Sequence, residues 1–370
     1  MKPTKKKNIF EEPNIELDQE IVPKKKNPIG KILTVLFGFI FFIIIILLTY
    51  SGWYLQSFSD SAETTPKEIV TSIKQGITSN PFENQPDLNI LLLGKDDFGE
   101  GRSGSILTDT IILISIHQSG SITLLPFPRD LWIDPLKSKI NALYYYGEES
   151  EDITGSDLVA KTIEEISNIS LDHIIVINLG LLEEVIDILG GIQIDVDTAF
   201  VDDKYPNSQV APDILPIELR YETISFESGP QQMDGATAIK YIRSRQSSNQ
   251  DENTDNARSL RQQKVITAIV NQISSNSVIF NPQVMGNLYK FWKNDTQTSI
   301  SDKELISLTK EIINQPISFQ SISIPIQTIN EKGILYNPPL YKYNQWVYVP
   351  YDSSWTELQE YILKNLHQCE

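Results

Sequence analysis

The sequence predicts a three-layer α/β domain carried behind one transmembrane helix, and three features point to it. A run without a charged residue extends from Ile32 to Ser59. Beyond it, short apolar segments bounded by turn residues alternate with stretches of helical periodicity, the pattern of strands laid between helices. The composition, 40% hydrophobic and 9% aromatic over 370 residues, is that of a folded chain of one large or two ordinary domains.

The centre of the uncharged run, Val35 to Leu48, is long enough with its flanks to span a bilayer, so a transmembrane helix is expected over 31–54. The first 50 residues hold eight lysines against five acids, and the positive-inside bias then makes 1–30 a cytoplasmic basic tail with the bulk of the chain outside. Tyr50, Trp53 and Tyr54 suit the outer membrane boundary. A cleaved signal peptide is the competing reading, but the charged region and apolar core are both too long for one and no small-x-small site follows closely. An uncleaved anchor in the cell membrane is therefore expected.

Residues 55–87 are polar, with Pro66, Pro81 and Pro86 bracketing a short helix over 67–77, and read as an extracytoplasmic stalk. The main domain is placed at 88–275. Asp87 to Gly94 is a buried strand by its apolar run, and 110–116 with 121–126 form a hairpin across His117 to Gly120. Ser156 can cap a helix to about Ile166, 173–179 is a strand, 181–189 a helix closed by Gly190 and Gly191, and 192–196 a further strand. The Asp-, Pro- and Tyr-rich segment 200–227 reads as an excursion with a short strand. Asp234 caps a helix over 235–244, and 246–254, with no apolar residue, reads as a mobile loop before a helix over 255–273. In a C-terminal extension, 276–370, packed on the same domain, Ser301 caps a helix over 302–313. Strands are expected at 317–324 and 346–349, and a closing helix at 354–366.

Charge narrows the function. The chain carries a formal net charge of −17, or about −20 beyond the first 50 residues, which excludes nucleic acid as an ordinary partner. A single cysteine, Cys369, leaves no internal disulfide, and His117, His173 and His367 lack zinc-ligand or triad spacing. Against this acidic background there are seven arginines, four of which (Arg243, Arg245, Arg258 and Arg261) fall within nineteen residues. On the 255–273 helix, Arg258 and Gln262 share the stripe of Ile266, Ile269 and Ile273 and point inward. A buried guanidinium needs a fork of acceptors, and residue chemistry leaves two open: a protein carboxylate or a phosphate. Strand-end loops supply further groups: Asp96 and Asp97 after Gly94, Asp109 in Thr108-Asp109-Thr110, Arg129 after Pro126-Phe-Pro128, and Lys139. Paired carboxylates at a sheet mouth suit Mg²⁺ carrying a phosphate, while the reading preferred on these residues alone is Asp109 as a turn cap.

These residues recur in order in one known pattern. Asn89-Ile-Leu-Leu-Leu-Gly94-Lys-Asp96, Thr108-Asp109-Thr110-Ile, Leu125-Pro-Phe-Pro-Arg129-Asp130, Lys139-Ile-Asn141-Ala, Leu189-Gly-Gly-Ile-Gln-Ile-Asp-Val196, Met233-Asp-Gly-Ala-Thr-Ala-Ile-Lys-Tyr-Ile-Arg243-Ser-Arg245 and Arg258-Ser-Leu-Arg261-Gln-Gln263 follow one another. Across Asn89 to Ile273 the chain resembles the LytR-CpsA-Psr family, the cell envelope-related transcriptional attenuator domain. The resemblance implies a three-layer α/β/α fold with a mixed central sheet behind a membrane anchor. It also implies a phosphotransferase that moves a glycopolymer from a polyprenyl-diphosphate carrier to a peptidoglycan sugar hydroxyl, with Mg²⁺, forming a phosphodiester. By matching positions, Arg129, Lys139, Arg243, Arg245, Arg258, Arg261 and Gln262 would bind the diphosphate. Asp96 and Asp109 would hold Mg²⁺ or help deprotonate the acceptor, with Arg129 beside them in catalysis. The apolar faces of the 235–244 and 258–273 helices would line a pocket for the polyprenyl tail. Leu107 departs from the pattern, since the family commonly has arginine there. That departure motivates the alternative of a non-catalytic polyprenyl-diphosphate-binding or regulatory envelope protein.

Overall fold

The computed structural model describes residues 28–83, 85–95, 107–207, 210, 214–313, 318–328, 331–351 and 354–366. The chain divides into two units, Met1–Trp53 and Tyr54–Glu370. The first holds most of helix α1 (Pro28–Ser61). Within α1, Phe39–Ser61 is the one helix among the described residues long and apolar enough to cross a membrane. Phe39 to Leu48 are exposed throughout, an apolar cylinder that water would not tolerate and lipid would.

In the second unit, Thr65 starts α2 (Pro66–Ile77) with a complete capping box to Glu68. The segment expected to be a stalk is not free: Gly76 lies so near Ile306 that an added Cβ would fall 2.5 Å from its Cγ2, and the Ser307 hydroxyl donates to the Ser79 carbonyl at 2.9 Å. The chain continues through β1 (Asp87–Lys95), β2 (Thr108–His117), β3 (Ser121–Pro126), β4 (Trp132–Ile133), β5 (Ser138–Lys139), α3 (Leu143–Glu148), α4 (Gly155–Ser167), β6 (His173–Asn178), α5 (Leu179–Ile188) and β7 (Ile192–Val196). Thr154, not Ser156, caps α4, because its hydroxyl reaches the Asp157 amide. Then follow β8 (Phe200–Pro206), β9 (Tyr221–Phe226), β10 (Gly229–Met233), α6 (Gly235–Arg243), α7 (Asp255–Ile273), α8 (Asn276–Ile279), α9 (Pro282–Asn294), β11 (Gln297–Thr298), α10 (Asp302–Ile313), β12 (Ser318–Ser321), β13 (Leu335–Tyr336), β14 (Val349–Pro350) and α11 (Thr356–Leu366). The excursion expected at 200–227 is a two-stranded ribbon, β8 against β9.

The central sheet is mixed, in the order β11-β6-β1-β2-β3-β12. Parallel β1–β6 and β3–β12 pairs flank the antiparallel β1–β2–β3 meander. Both faces are covered, which is why β1 is a continuous apolar run and not an alternating one. Leu91 and Leu93 face a core shared with α3, α4 and α11, whereas Ile90 and Leu92 face one shared with α10 and with Ile266 of α7. A third core joins α5, α6 and α7 to β7–β10 through Ile186, Ile194, Phe226, Ile242 and Val265. Truncating Leu91, fully buried at the sheet centre, should cost about 2–5 kcal/mol.

Candidate active site

At the end of the β1–β2 pair where β1 finishes and β2 begins, the register slips. Gly94 faces Thr110, but Lys95 faces Thr108, so Asp109 is an extra residue in β2 with no opposite number. Such a bulge re-aims a side chain at a sheet end. The tightness beneath it is enforced by Gly94, whose added Cβ would sit 2.8 Å from Cβ of Thr110. Sequence reading singled out Asp109 but missed this device, because a bulge exists only once two strands are paired.

Asp109 is the hub of the cluster. Its Oδ2 accepts from Nη1 of Arg129 at 2.9 Å and from Nη2 of Arg245 at 2.8 Å, and its Oδ1 receives Nδ2 of Asn141 at 3.3 Å. Burial pushes the Asp109 carboxyl up, but the combined charges of Arg129, Arg245 and Arg258, with the Arg129 hydrogen bond, outweigh it and hold the group below the ordinary carboxylate range. Asp109 is therefore an anion among guanidiniums and a weak proton acceptor while they hold it. Arg129 follows β3 and the rigid Pro126-Phe-Pro128 turn, and its Nε lies 3.6 Å from Oδ2 of the buried Asp130. Asp130 in turn pairs with Nζ of Lys139 at 2.5 Å, and the Asn141 amide donates to the Arg129 carbonyl at 3.3 Å. The β4–β5 hairpin thus returns Lys139 and Asn141 to the strand end that carries Arg129.

The structure sorts the other sequence-predicted residues. Arg245 stands just beyond α6, its side chain 44% exposed, which leaves a charged fork facing solvent beside Asp109. Arg258 is buried in the first turns of α7, with its charge felt at Asp109. Arg243, in the last turn of α6, and Gln262 are half-buried; Gln263, which the stripe argument passed over, is the buried one of the glutamine pair and accepts from the Ser321 hydroxyl. Arg261 is different. Its Nε donates to the Tyr241 carbonyl at 2.9 Å, Nη2 to the Ser244 carbonyl at 2.8 Å and Nη1 to Oε2 of Glu252 at 2.7 Å, and its plane lies over Phe200 at 5.0 Å. Those donors serve the protein's own backbone and a carboxylate, so Arg261 is a brace and not part of the Asp109 cluster. Asp96 lies outside the described residues, as do Arg102, His367 and Cys369.

Among the described residues there is no group of three or more His, Cys, Asp or Glu that could hold a metal ion. The donor set at Asp109 is one carboxylate with an asparagine amide behind it. Both carboxylate oxygens already accept hydrogen bonds, from Arg129, Arg245 and Asn141, and the set does not amount to an all-protein metal cage.

The LytR_cpsA_psr family model matches residues 51–347, which span the bulge, the arginines and the full central sheet. The chain belongs to the LytR_cpsA_psr family. Among relatives of this family, the polyisoprenyl-teichoic acid–peptidoglycan teichoic acid transferase TagU of Enterococcus faecalis is 27% identical over 258 residues, covering 68% of this chain and 75% of that protein. The TagU of Oceanobacillus iheyensis is 30% identical over 232 residues, covering 61% and 63%. Two solved structures share the LytR_cpsA_psr fold: TagT bound to LI-WTA, with a TM-score of 0.51 at 21% identity over 79% of this chain and 95% of that one, and Bacillus subtilis TagV, with 0.53 at 21% identity over 76% and 97%.

Proposed function

We propose that this chain is a membrane-anchored phosphotransferase that joins a glycopolymer to peptidoglycan through a phosphodiester. The acceptor sugar hydroxyl attacks the phosphorus that carries the polymer and gives its proton to solvent water, and polyprenyl phosphate leaves with the electrons of the broken P–O bond. The observation that carries this reading is the Asp109-centred arginine cluster, a pre-organised cationic cradle at a strand end in an otherwise acidic chain. Its relatives named as teichoic acid transferases support the same chemistry.

Arg129, Arg245 and Arg258 bind the diphosphate and neutralise charge on its non-bridging oxygens, with Arg243 and Gln262 at the margin. The forks of Arg129 and Arg245 are already ordered by Asp109, so little is lost in orienting them when substrate arrives. Lys139 acts through Asp130, which steadies Arg129. Asp109 and Asp96 would hold Mg²⁺, which supplies Lewis-acid stabilisation of the phosphoryl oxygens when bound. Because the arginines depress its basicity, Asp109 serves better as ligand and organiser than as the group that removes the acceptor's proton.

The apolar span in α1 anchors the chain, with the lysine-rich tail inside the cell and the site outside. The test is reconstitution: purified full-length chain, a polyprenyl-diphosphate-linked glycopolymer, peptidoglycan oligomer and Mg²⁺, with mass spectrometry of the product. A phosphodiester-linked product that vanishes in Asp109→Ala is expected. Lipid binding without transfer would replace this reading with a non-catalytic binding protein. For topology, a protease added to intact cells should cleave beyond residue 60, and protection of that region would reverse the orientation.

A further inference from the structure

We infer that Asp202 is a positioning residue for Arg245, a carboxylate on β8 that fixes the turn from which Arg245 reaches Asp109. This rests on the reading of Arg245 as a diphosphate ligand. Asp202 is 1% exposed. Its Oδ2 accepts from the Ser244 hydroxyl at 2.7 Å, the Arg245 amide at 3.2 Å and the Gln246 amide at 3.1 Å, and its Oδ1 accepts from the Lys204 amide at 3.0 Å. Three consecutive residues, with Arg245 in the middle, therefore converge on one buried oxygen. A bridge between Asp202 and Ser247, and the Ser248 amide donating to the Val201 carbonyl at 2.9 Å, carry the same docking two residues further.

The backbone explains what this accomplishes. Ser244 leaves α6 in an extended conformation, φ −55° and ψ 132°. A helix continued through this point would carry Arg245 about 200° around the axis from Arg243. The break alters that phase, and Asp202 accepts from the two amides that the break leaves without a helical partner. From the other side, Arg261 binds the Tyr241 and Ser244 carbonyls and Glu252, so the segment from 241 to 252 is held between a buried anion and a buried cation. A buried carboxylate is costly unless fully hydrogen-bonded. Here its bonds go to the residue that carries a site cation and to that residue's two neighbours, a more specific arrangement than strand pairing alone requires.

The test uses the full-length chain in detergent with farnesyl diphosphate as the probe. Asp202→Ala should weaken binding about tenfold, the size of one well-made hydrogen-bonded contact. In the Arg245→Ala background the same change should add little, since a residue that acts through Arg245 has nothing left to position. Asp202→Asn, whose amide oxygen can occupy the Oδ2 place while its NH2 then opposes the Lys204 amide, should recover part of the affinity. Independently of any ligand, amide exchange at Arg245 and Gln246 should accelerate in Asp202→Ala while β1 amides are unchanged. Additive losses in the double variant, or unaltered exchange at 245 and 246, would overturn the assignment. If Asp202→Ala does not fold, Ser244→Ala, which removes one bond to the same oxygen, takes its place in both measurements with smaller shifts. Failure of the wild-type chain to bind farnesyl diphosphate would count against the proposed substrate, and the exchange result would still decide the positioning role.

Discussion

Two arginine–carboxylate clusters each draw an arginine from the stretch 245–261 and behave in opposite ways. In one, Arg129 and Arg245 converge on Asp109 at a sheet end, with 22% and 44% of their side chains exposed. In the other, Arg261, 3% exposed, is enclosed by two carbonyls, Glu252 and the Phe200 ring. Burial pulls the Arg261 guanidinium down from its ordinary value even with Glu252 beside it, whereas the arginines around Asp109 hold that carboxyl low. Residue type is the same in both; the difference is where the donors end. A guanidinium that faces water beside an anion can exchange part of its fork for a phosphate, and one that caps backbone carbonyls cannot without unfolding its loop.

The strongest way to break this contrast is Asp109→Ala. Transfer should fall by about 10³-fold with a modest drop in the unfolding midpoint, since Arg129 and Arg245 keep access to water while the buried Asn141 amide loses its acceptor. A large loss of stability with full activity would place Asp109 with the structural cluster instead. Arg261→Ala should do the converse, costing about 3 kcal/mol in a denaturant titration because it strands Glu252 and two carbonyls. Normal folding with lost lipid binding would move Arg261 into the site. Arg245→Ala should lower transfer by about 10²-fold and Arg245→Lys should recover only part of it, because lysine lacks the fork.

A pH titration sharpens the comparison from the side of charge. The depressed Asp109 carboxyl contributes stability that is fully present above the ordinary carboxylate range and is lost as pH falls through its own lower value. The stability gap between wild type and Asp109→Asn should stay level from about pH 7 to 5 and close only below about pH 4. A gap that closes between pH 7 and 5 would mean that the arginines do not hold the carboxyl. The smallest effect is expected from Leu107→Arg, which adds a guanidinium one residue before Thr108 and should tighten diphosphate binding by about threefold. Unchanged or weaker binding would mean that Arg129, Arg245 and Arg258 already fill that role.

Much of the scaffold was legible beforehand. The meander 87–126 announced itself by apolar runs between turn residues, and Asp234 and Ser301 were visible as helix starts because capping is a local bond. Where local signals compete, the reading slipped: Thr154 took the cap expected of Ser156 two residues on. β10, with Gly229-Pro-Gln-Gln in it, shows no alternation and exists because β7 pairs with it. The loop at 246–254, polar enough to read as mobile, is tied down by Asp202 and Arg261, which come from other elements. Asp96 lies outside the described residues.

The sequence by itself determined the long apolar helix, the mixed α/β order and the set of side chains from which a phosphate site could be built. These depend on hydrophobic period, caps and residue chemistry, all of which act within a few residues along the chain. Only the tertiary structure decided that Asp109 stands out of register at a bulge, that Arg129 and Arg245 meet on one of its oxygens, and that Arg261 turns inward. A guanidinium takes whichever acceptors the fold brings within about 3 Å, and that choice is made between segments far apart in sequence.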